Sequence, residues 1–285
     1  AKSAQNLGVF LTSIDFGIDL VQAKGEMGGK QPMVDSLGDV WGMMNGLPIG
    51  GGTVDMLTSM QDQFDLSNVN DSGVLDQMRL FDGEFILYVS DESSKINVNY
   101  CVEDVKCTEF GEMMKALFAC PAEKAFLDSK GINGEQLGIK VKDFVDKDQR
   151  VTDGSDAGDE DSPYEKKTPP YKARNGPLDS IEELKLVDGW DDDVLSVFAP
   201  YMTVFPFQEK SSDKCRINLN TATKELVRCI VPQGAADCRE KYHLAMGARD
   251  KEKTGIAKDQ KEINSFLNDT LCYAAGSDAG NNPRN

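Results

Sequence analysis

Histidine is nearly missing from this chain: its 285 residues include one, His243. Imidazole is the usual proton-transfer base near neutral pH and the commonest nitrogen ligand for metals. Histidine-built metal sites and catalytic triads therefore drop out, and His243, in Lys241-Tyr-His-Leu-Ala245, reads as a surface or packing residue. No two cysteines fall at the Cys-x-x-Cys spacing of zinc sites. No stretch is apolar over the length that crosses a bilayer, and no nucleophile-elbow pattern surrounds a serine. Basic residues are also scarce, 31 against 48 acidic ones, for a net charge of −17. Such a surface repels nucleic-acid phosphates and anionic membranes. The chain starts at Ala1 with neither a signal peptide nor an initiator methionine, as a mature or trimmed chain would.

The length is enough for a good core and for two domains. Seven cysteines are present, and two readings of them stay open. One is disulfides formed in an oxidising compartment, with Cys229–Cys238 and Cys107–Cys120 as local pairs and one cysteine left over. The other is buried reduced thiols in a cytosolic protein.

Carboxylates crowd one region: Asp143, Asp146, Asp148, Asp153, Asp156, Asp159, Glu160 and Asp161, interrupted by Gly154 and Gly158. They repel one another unless a cation sits among them. Oxygen-rich flexible loops suit calcium, while a plain solvated acidic loop is the alternative. The loop is not an EF-hand, because Arg150 occupies a ligand position of that motif.

Downstream, Leu178, Ile181, Leu184 and Val187 recur every third residue. Asp179 or Ser180 stands ready to cap, Glu182 or Glu183 follows at capping-box distance, and Gly189 is placed to end the segment. The pattern predicts a short amphipathic helix.

Along the rest of the chain, Leu7, Leu11, Ile14, Ile18 and Val21 draw an apolar seam on a helix over Ser3 to Lys24. That seam packs on the domain's own sheet, or it belongs to the exposed half of a longer helix. Leu80 to Ser90 alternates as a strand with apolar groups on both faces, which predicts a covered position. Ile96-Asn-Val-Asn99 and Ile217-Asn-Leu-Asn220 form an internal repeat, each a strand end leading to a helix start that the second asparagine can cap. Helical patterns cover Glu109 to Phe118, Ala122 to Ser129, Gly134 to Asp146 and Thr223 to Ile230, and Tyr201 to Phe205 returns to strand character. The polar tail after Gly276 is predicted to be mobile.

The order of these motifs resembles one family. The first Asn copy, the acidic loop with Gly158-Asp-Glu-Asp161 and Tyr164, the run Arg174-Asn-Gly-Pro-Leu-Asp-Ser-Ile-Glu-Glu-Leu-Lys-Leu-Val187, the strand after Tyr201 and the second Asn copy occur in sequence. From about Gly83 to Ile230 the chain resembles the K-type minor pseudopilin of the bacterial type II secretion system. The resemblance implies an α+β pseudopilin fold, an N-terminal helix packed on an antiparallel sheet, with a large, mostly helical inserted domain. Residues 1–100 would supply the helix and first strands, 101–200 the insertion, and 201–285 the return to the pseudopilin domain. It implies a structural calcium ion held by Asp146, Asp148, Glu160 and Asp161, with Asp153, Asp156, Asp159 and Asn175 as further candidates.

The implied function is non-enzymatic: a component at the tip of the periplasmic pseudopilus, supporting protein secretion. The I- and J-type minor pseudopilins would be its partners through Leu7, Leu11, Ile14, Ile18 and Val21. Secreted proteins and the outer-membrane secretin are further implied contacts. The implied location is periplasmic, with the full-length protein anchored in the inner membrane by a helix segment outside this chain. A second reading is a helix-hairpin-helix nucleic-acid-binding module around Ile217-Asn-Leu-Asn-Thr-Ala222. It lacks the hairpin glycines, and the net charge opposes it. Carboxylate-pair hydrolysis is a third, weaker reading.

Overall fold

In the computed structural model, the described residues are 45–46, 48–49, 85–86, 88–102, 107–152, 158–205, 217–230, 244–248 and 250. The seam Leu7, Leu11, Ile14, Ile18 and Val21, the loop residues Asp153 and Asp156, and His243 lie outside them. The chain divides into two compact units, Ala1–Ser90 with His243–Phe266, and Asp91–Tyr242 with Leu267–Asn285.

In the first unit, β1 (Pro48–Ile49) pairs antiparallel with β2 (Phe85–Ile86). Beyond the ladder the Asn45 side chain grips the Val89 backbone, donating to its carbonyl at 2.8 Å and accepting from its N–H at 3.0 Å. Of the alternating run from Leu80 to Ser90, residues 85–86 and 88–90 are described, with Phe85 and Ile86 in the ladder and Val89 in the amide clamp. The described part is not covered on both faces: Ile86 and Tyr88 are 51% and 76% exposed.

Most of the described helical residues lie in the second unit. Asp91 caps a 3₁₀ turn, Glu92–Ser94, by accepting from the Ser93 N–H at 2.8 Å. The motif Ile96-Asn-Val-Asn99 follows. Its first half is β3 (Ile96–Asn97), paired with β4 (Met202–Thr203), Ile96 opposite Met202 and Asn97 opposite Thr203. This pair is parallel, which corrects the expectation that the strand after Tyr201 joins an antiparallel sheet. A parallel pair requires a long crossover, and the whole helical segment between residues 98 and 201 supplies it.

The asparagines also differ from expectation. Asn97, the first, caps the 3₁₀ turn Val98–Cys101 by accepting from the Asn99 N–H at 2.9 Å. Asn99, the second, is buried and joins three strands of chain. It accepts from the Leu178 N–H at 2.9 Å and donates to the carbonyls of Leu178 at 3.0 Å and Val204 at 2.8 Å. The repeat copies the first role: Asn218 accepts from the Asn220 N–H at 3.1 Å.

The helices described in this unit are α1 (Thr108–Phe118), α2 (Pro121–Ser129) and α3 (Gly134–Val145), then the short α4 (Ser162–Glu165), α5 (Asp192–Phe198) and α6 (Lys224–Ile230). Of these, α1, α2, α3 and α6 stand where the periodicities place them, and α4 and α5 are additional. Asn133 caps α3, and that helix buries Leu137, Val141 and Phe144 as its pattern requires. Glycines let α3 come close to α1: a Cβ on Gly134 would stand 2.7 Å from Cβ of Phe118. Phe118 then meets Phe198 edge-on at 4.8 Å between centroids and Trp190 at 6.5 Å.

The short helix expected from Leu178 to Val187 is present and takes the 3₁₀ form over Ile181–Leu186, capped by Ser180. The physical reason lies in its spacing. Apolar residues every third position fall on one line in a helix of three residues per turn, and Leu178, Leu184 and Val187 are buried together. Gly189 takes the expected left-handed conformation, φ 92°.

The disulfides overturn both expected pairs. Cys101 bonds Cys107 and Cys120 bonds Cys229, each with Cα atoms 5.2 Å apart. Cys107 is therefore not bonded to Cys120, and Cys229, bonded to Cys120, is not available to Cys238, which lies outside the described residues. Residues close in sequence at opposite ends of a helix are far apart in space: α1 separates Cys107 from Cys120 by its full length. The packing of α6 against α1 brings Cys229 to Cys120 instead.

Candidate metal centre

Helix α3 runs its apolar stripe against the core and, on a different face of its last turn, presents Asp143 and Asp146. Three residues of spacing put both carboxylates on one side. Asp146 ends the helix in an extended conformation, its N–H still donating to the Lys142 carbonyl at 3.0 Å. The acidic loop then leaves and returns. An antiparallel bridge between Arg150 and Asp159 ties its two arms together. Asp148 supports the outgoing arm by accepting from the Arg150 N–H at 2.7 Å, and Asp159 supports the returning arm by accepting from the Asp161 N–H at 3.1 Å. This closure carries Glu160 back over the end of α3.

The result is a trio: Asp143, Asp146 and Glu160 each place one carboxylate oxygen within 4.8 Å of the others. They are 7%, 1% and 4% exposed, a depth at which carboxylates are almost never found without partners. Asp143 has one, accepting from the N–H and hydroxyl of Thr152, whose hydroxyl also takes a bond from Lys142 Nζ at 3.0 Å. Asp146 Oδ1 and both Glu160 oxygens have no hydrogen-bond donor among the described residues. Asn175 Oδ1 is a further buried oxygen without a donor. Its residue sits at φ 46° and donates its N–H to the Phe144 carbonyl, beside Asp143.

Electrostatics agree with the geometry. Burial pushes the Asp146 carboxyl up to about 7, with the Asp148 charge adding to it. Burial pushes Glu160 up to about 9, reinforced by the charges of Asp146, Asp143 and Asp148. Asp143 is raised as well, again by burial. A positive charge among them would reverse all three shifts. Asp161 behaves in the opposite way. It binds Lys172 Nζ at 2.7 Å and the Ala173 N–H at 2.9 Å, and the bond from Lys172 holds its carboxyl below the usual range.

Of the four residues singled out by sequence, the fold brings Asp146 and Glu160 together. It keeps Asp148 nearby on the loop and turns Asp161 towards Lys172. Asp143 completes the trio and was not among the four. Its signal was present in the sequence, a carboxylate three residues before Asp146 at the end of a helical pattern. Chemically, the trio and Asn175 are an all-oxygen donor set of high negative charge, which suits a hard cation and not a thiophilic one.

Residues 94–207 match the family model described as type II secretion system (T2SS), protein K. The chain is 29% identical to the type II secretion system protein K of Aeromonas hydrophila over 184 residues, 63% of this chain and 51% of that protein. It is 28% identical to its namesake from Pectobacterium carotovorum subsp. carotovorum over 145 residues, 50% of this chain and 41% of that one. The chain thus spans about half the length of the curated relatives it matches. Among solved structures it is similar to a chain of the GspK-GspI-GspJ complex from the type 2 secretion system of enterotoxigenic Escherichia coli. There the identity is 15% and the TM-score 0.45, over 94% of this chain and 81% of that one. Asp143, Asp146 and Glu160 all lie within residues 94–207, the stretch that matches the type II secretion system protein K family model.

Proposed function

We propose that this chain is the periplasmic part of a K-type minor pseudopilin, a non-enzymatic component of the type II secretion pseudopilus that supports protein secretion. The observation that carries the reading is the match of residues 94–207 to the protein K family model. Its full-length form is anchored in the inner membrane by a helix segment. The seam Leu7, Leu11, Ile14, Ile18 and Val21 is the face for the I- and J-type minor pseudopilins, and the helical unit faces secreted proteins and the secretin. Mixing the chain with soluble I- and J-type partners and measuring the mass of the complex by light scattering tests this. A ternary complex is expected, and Leu11→Arg with Ile18→Arg should abolish it. Failure of the unaltered chain to associate would overturn the reading.

The same reading gives the trio a structural calcium ion, with Asp143, Asp146 and Glu160 as ligands and Asn175 Oδ1 as a neutral fourth oxygen. Three unpartnered carboxylate oxygens support it. A bound divalent cation supplies charge neutralisation. The protein's own residues do the rest: α3 fixes two ligands, and the Arg150–Asp159 bridge holds the third in place. Elemental analysis of the purified chain should find calcium, and a thermal midpoint that does not respond to calcium would remove the ion from the proposal.

The nucleic-acid reading receives no support. In the second Asn motif, the groups near the expected phosphate grip hold a carboxylate of the chain itself: Asn218 Nδ2 and the Thr221 hydroxyl both donate to Asp91 Oδ2.

A further inference from the structure

A second group of donors lies apart from the carboxylate trio, where α6 meets the junction of α1 and α2. Cys120 precedes α2, Glu123 sits in the first turn of that helix, and Cys229 comes from α6. The two sulfurs and one Glu123 oxygen all lie within 4.8 Å of one another. Cys120 and Glu123 are 5% and 6% exposed.

In the oxidised chain the sulfurs are bonded to each other, and a disulfide offers no proton to a carboxylate. Glu123 is then poorly served. Among the described residues its Oε2 has no hydrogen-bond donor, and its Oε1 has only the Tyr201 hydroxyl at 3.4 Å. A carboxylate this deep and this poorly paired costs stability, which a disulfide alone gives no reason to keep.

We propose that opening the Cys120–Cys229 disulfide creates a zinc site, with two thiolates and the Glu123 carboxylate as ligands. The chemistry balances with a dithiol as reductant. Two electrons and two protons pass to Cys120 and Cys229, and the dithiol closes to its own disulfide. Zinc then displaces both thiol protons and forms two Zn–S bonds and one Zn–O bond. Thiolate and carboxylate are ordinary zinc ligands in tetrahedral sites. Sulfurs bound to one zinc stand roughly 3.8 Å apart by those bond lengths, so the opened pair has only to separate by rotation about its side-chain bonds. The metal keeps α6 tied to the α1–α2 junction when the covalent link is open, and it gives the orphan oxygen a partner.

The test uses the full chain with calcium present throughout. After reduction by a phosphine, zinc is added and free thiols are alkylated, then mapped by peptide mass. Zinc should protect Cys120 and Cys229 from alkylation, and Glu123→Gln should remove that protection at a zinc level that suffices for the unaltered chain. Cadmium, as a spectroscopic probe, is titrated into a reduced variant in which Cys101, Cys107, Cys215, Cys238 and Cys272 are serine. One cadmium per chain with a thiolate-to-metal absorption band is expected, lost on reoxidation and weakened at least ~10-fold by Glu123→Gln. Equal alkylation with and without zinc overturns the site, and so does metal binding that ignores Glu123→Gln. The alkylation map needs only one substitution, so it decides the matter even if the serine variant does not fold.

Discussion

Three carboxylates buried within 4.8 Å of one another repel, and at least three of their oxygens meet no donor. The pH dependence of that repulsion has a definite sign. Without metal, Asp146 titrates near 7 and Glu160 near 9, both above their ordinary values of 3.8 and 4.5. The folded chain therefore holds more protons than the unfolded one across this range, and its stability falls as pH rises from about 4 to about 9. In chelator, the thermal midpoint should drop steadily over that interval. Saturating calcium should flatten the drop and raise the midpoint most at the alkaline end, and Glu160→Gln should cancel most of both effects. Asn99 is the other residue whose role is local and severe. Its side chain serves one buried N–H and two buried carbonyls. Asn99→Ala leaves them without partners, at about 1–3 kcal/mol for each buried group that stays unsatisfied. Urea unfolding should show a loss of about 3 kcal/mol, more than a matching Asn218→Ala on the half-buried copy.

Among the elements, the cross-links are unequal. A disulfide stabilises mainly by restricting the unfolded chain, more so for longer loops. Cys101–Cys107 spans 6 residues and Cys120–Cys229 spans 109. On loop entropy the second is worth about 4.7 kcal/mol and the first about half of that. Cys229→Ser should therefore destabilise the chain clearly more than Cys107→Ser in denaturant titrations, both measured without added zinc. The α1–α3 contact is equally sharp. Because the Cβ of Gly134→Ala would press on Phe118 at 2.7 Å and on Leu127 at 3.0 Å, that change should cost about 1–3 kcal/mol, the usual range for overpacking. Helix positions were legible in the sequence because apolar periodicity is a local property. The helical type is set by the same local property: the threefold spacing from Leu178 to Val187 is the period of a 3₁₀ helix.

At the scale of the whole molecule, charge dominates. A net charge of −17 works against association with duplex DNA. Fluorescence anisotropy at physiological salt should show no saturable binding, in contrast with the ternary complex expected of the pseudopilin partners. The match to the protein K family model covers residues 94–207, and the proposed partner face Leu7 to Val21 lies outside it. Association and metal binding can therefore fail separately, and each measurement reports on its own part of the chain.

The sequence by itself determined where α1, α2, α3 and α6 lie, that charge concentrates in one loop, and that two Asn motifs recur in an order resembling one family. Each of these depends on near neighbours or on linear order. The tertiary structure decided which carboxylates meet, which cysteines bond, and that the strand after Tyr201 runs parallel to the first Asn motif. It also reversed the roles of the asparagines, setting the first to cap and the second to bridge. Those outcomes depend on where the chain returns after long excursions. Asp146 meets Glu160 because Arg150 and Asp159 close the loop between them, and Cys229 meets Cys120 because α6 packs on α1. No periodicity records a return path, because its energy comes from surfaces that exist only once the helices have packed.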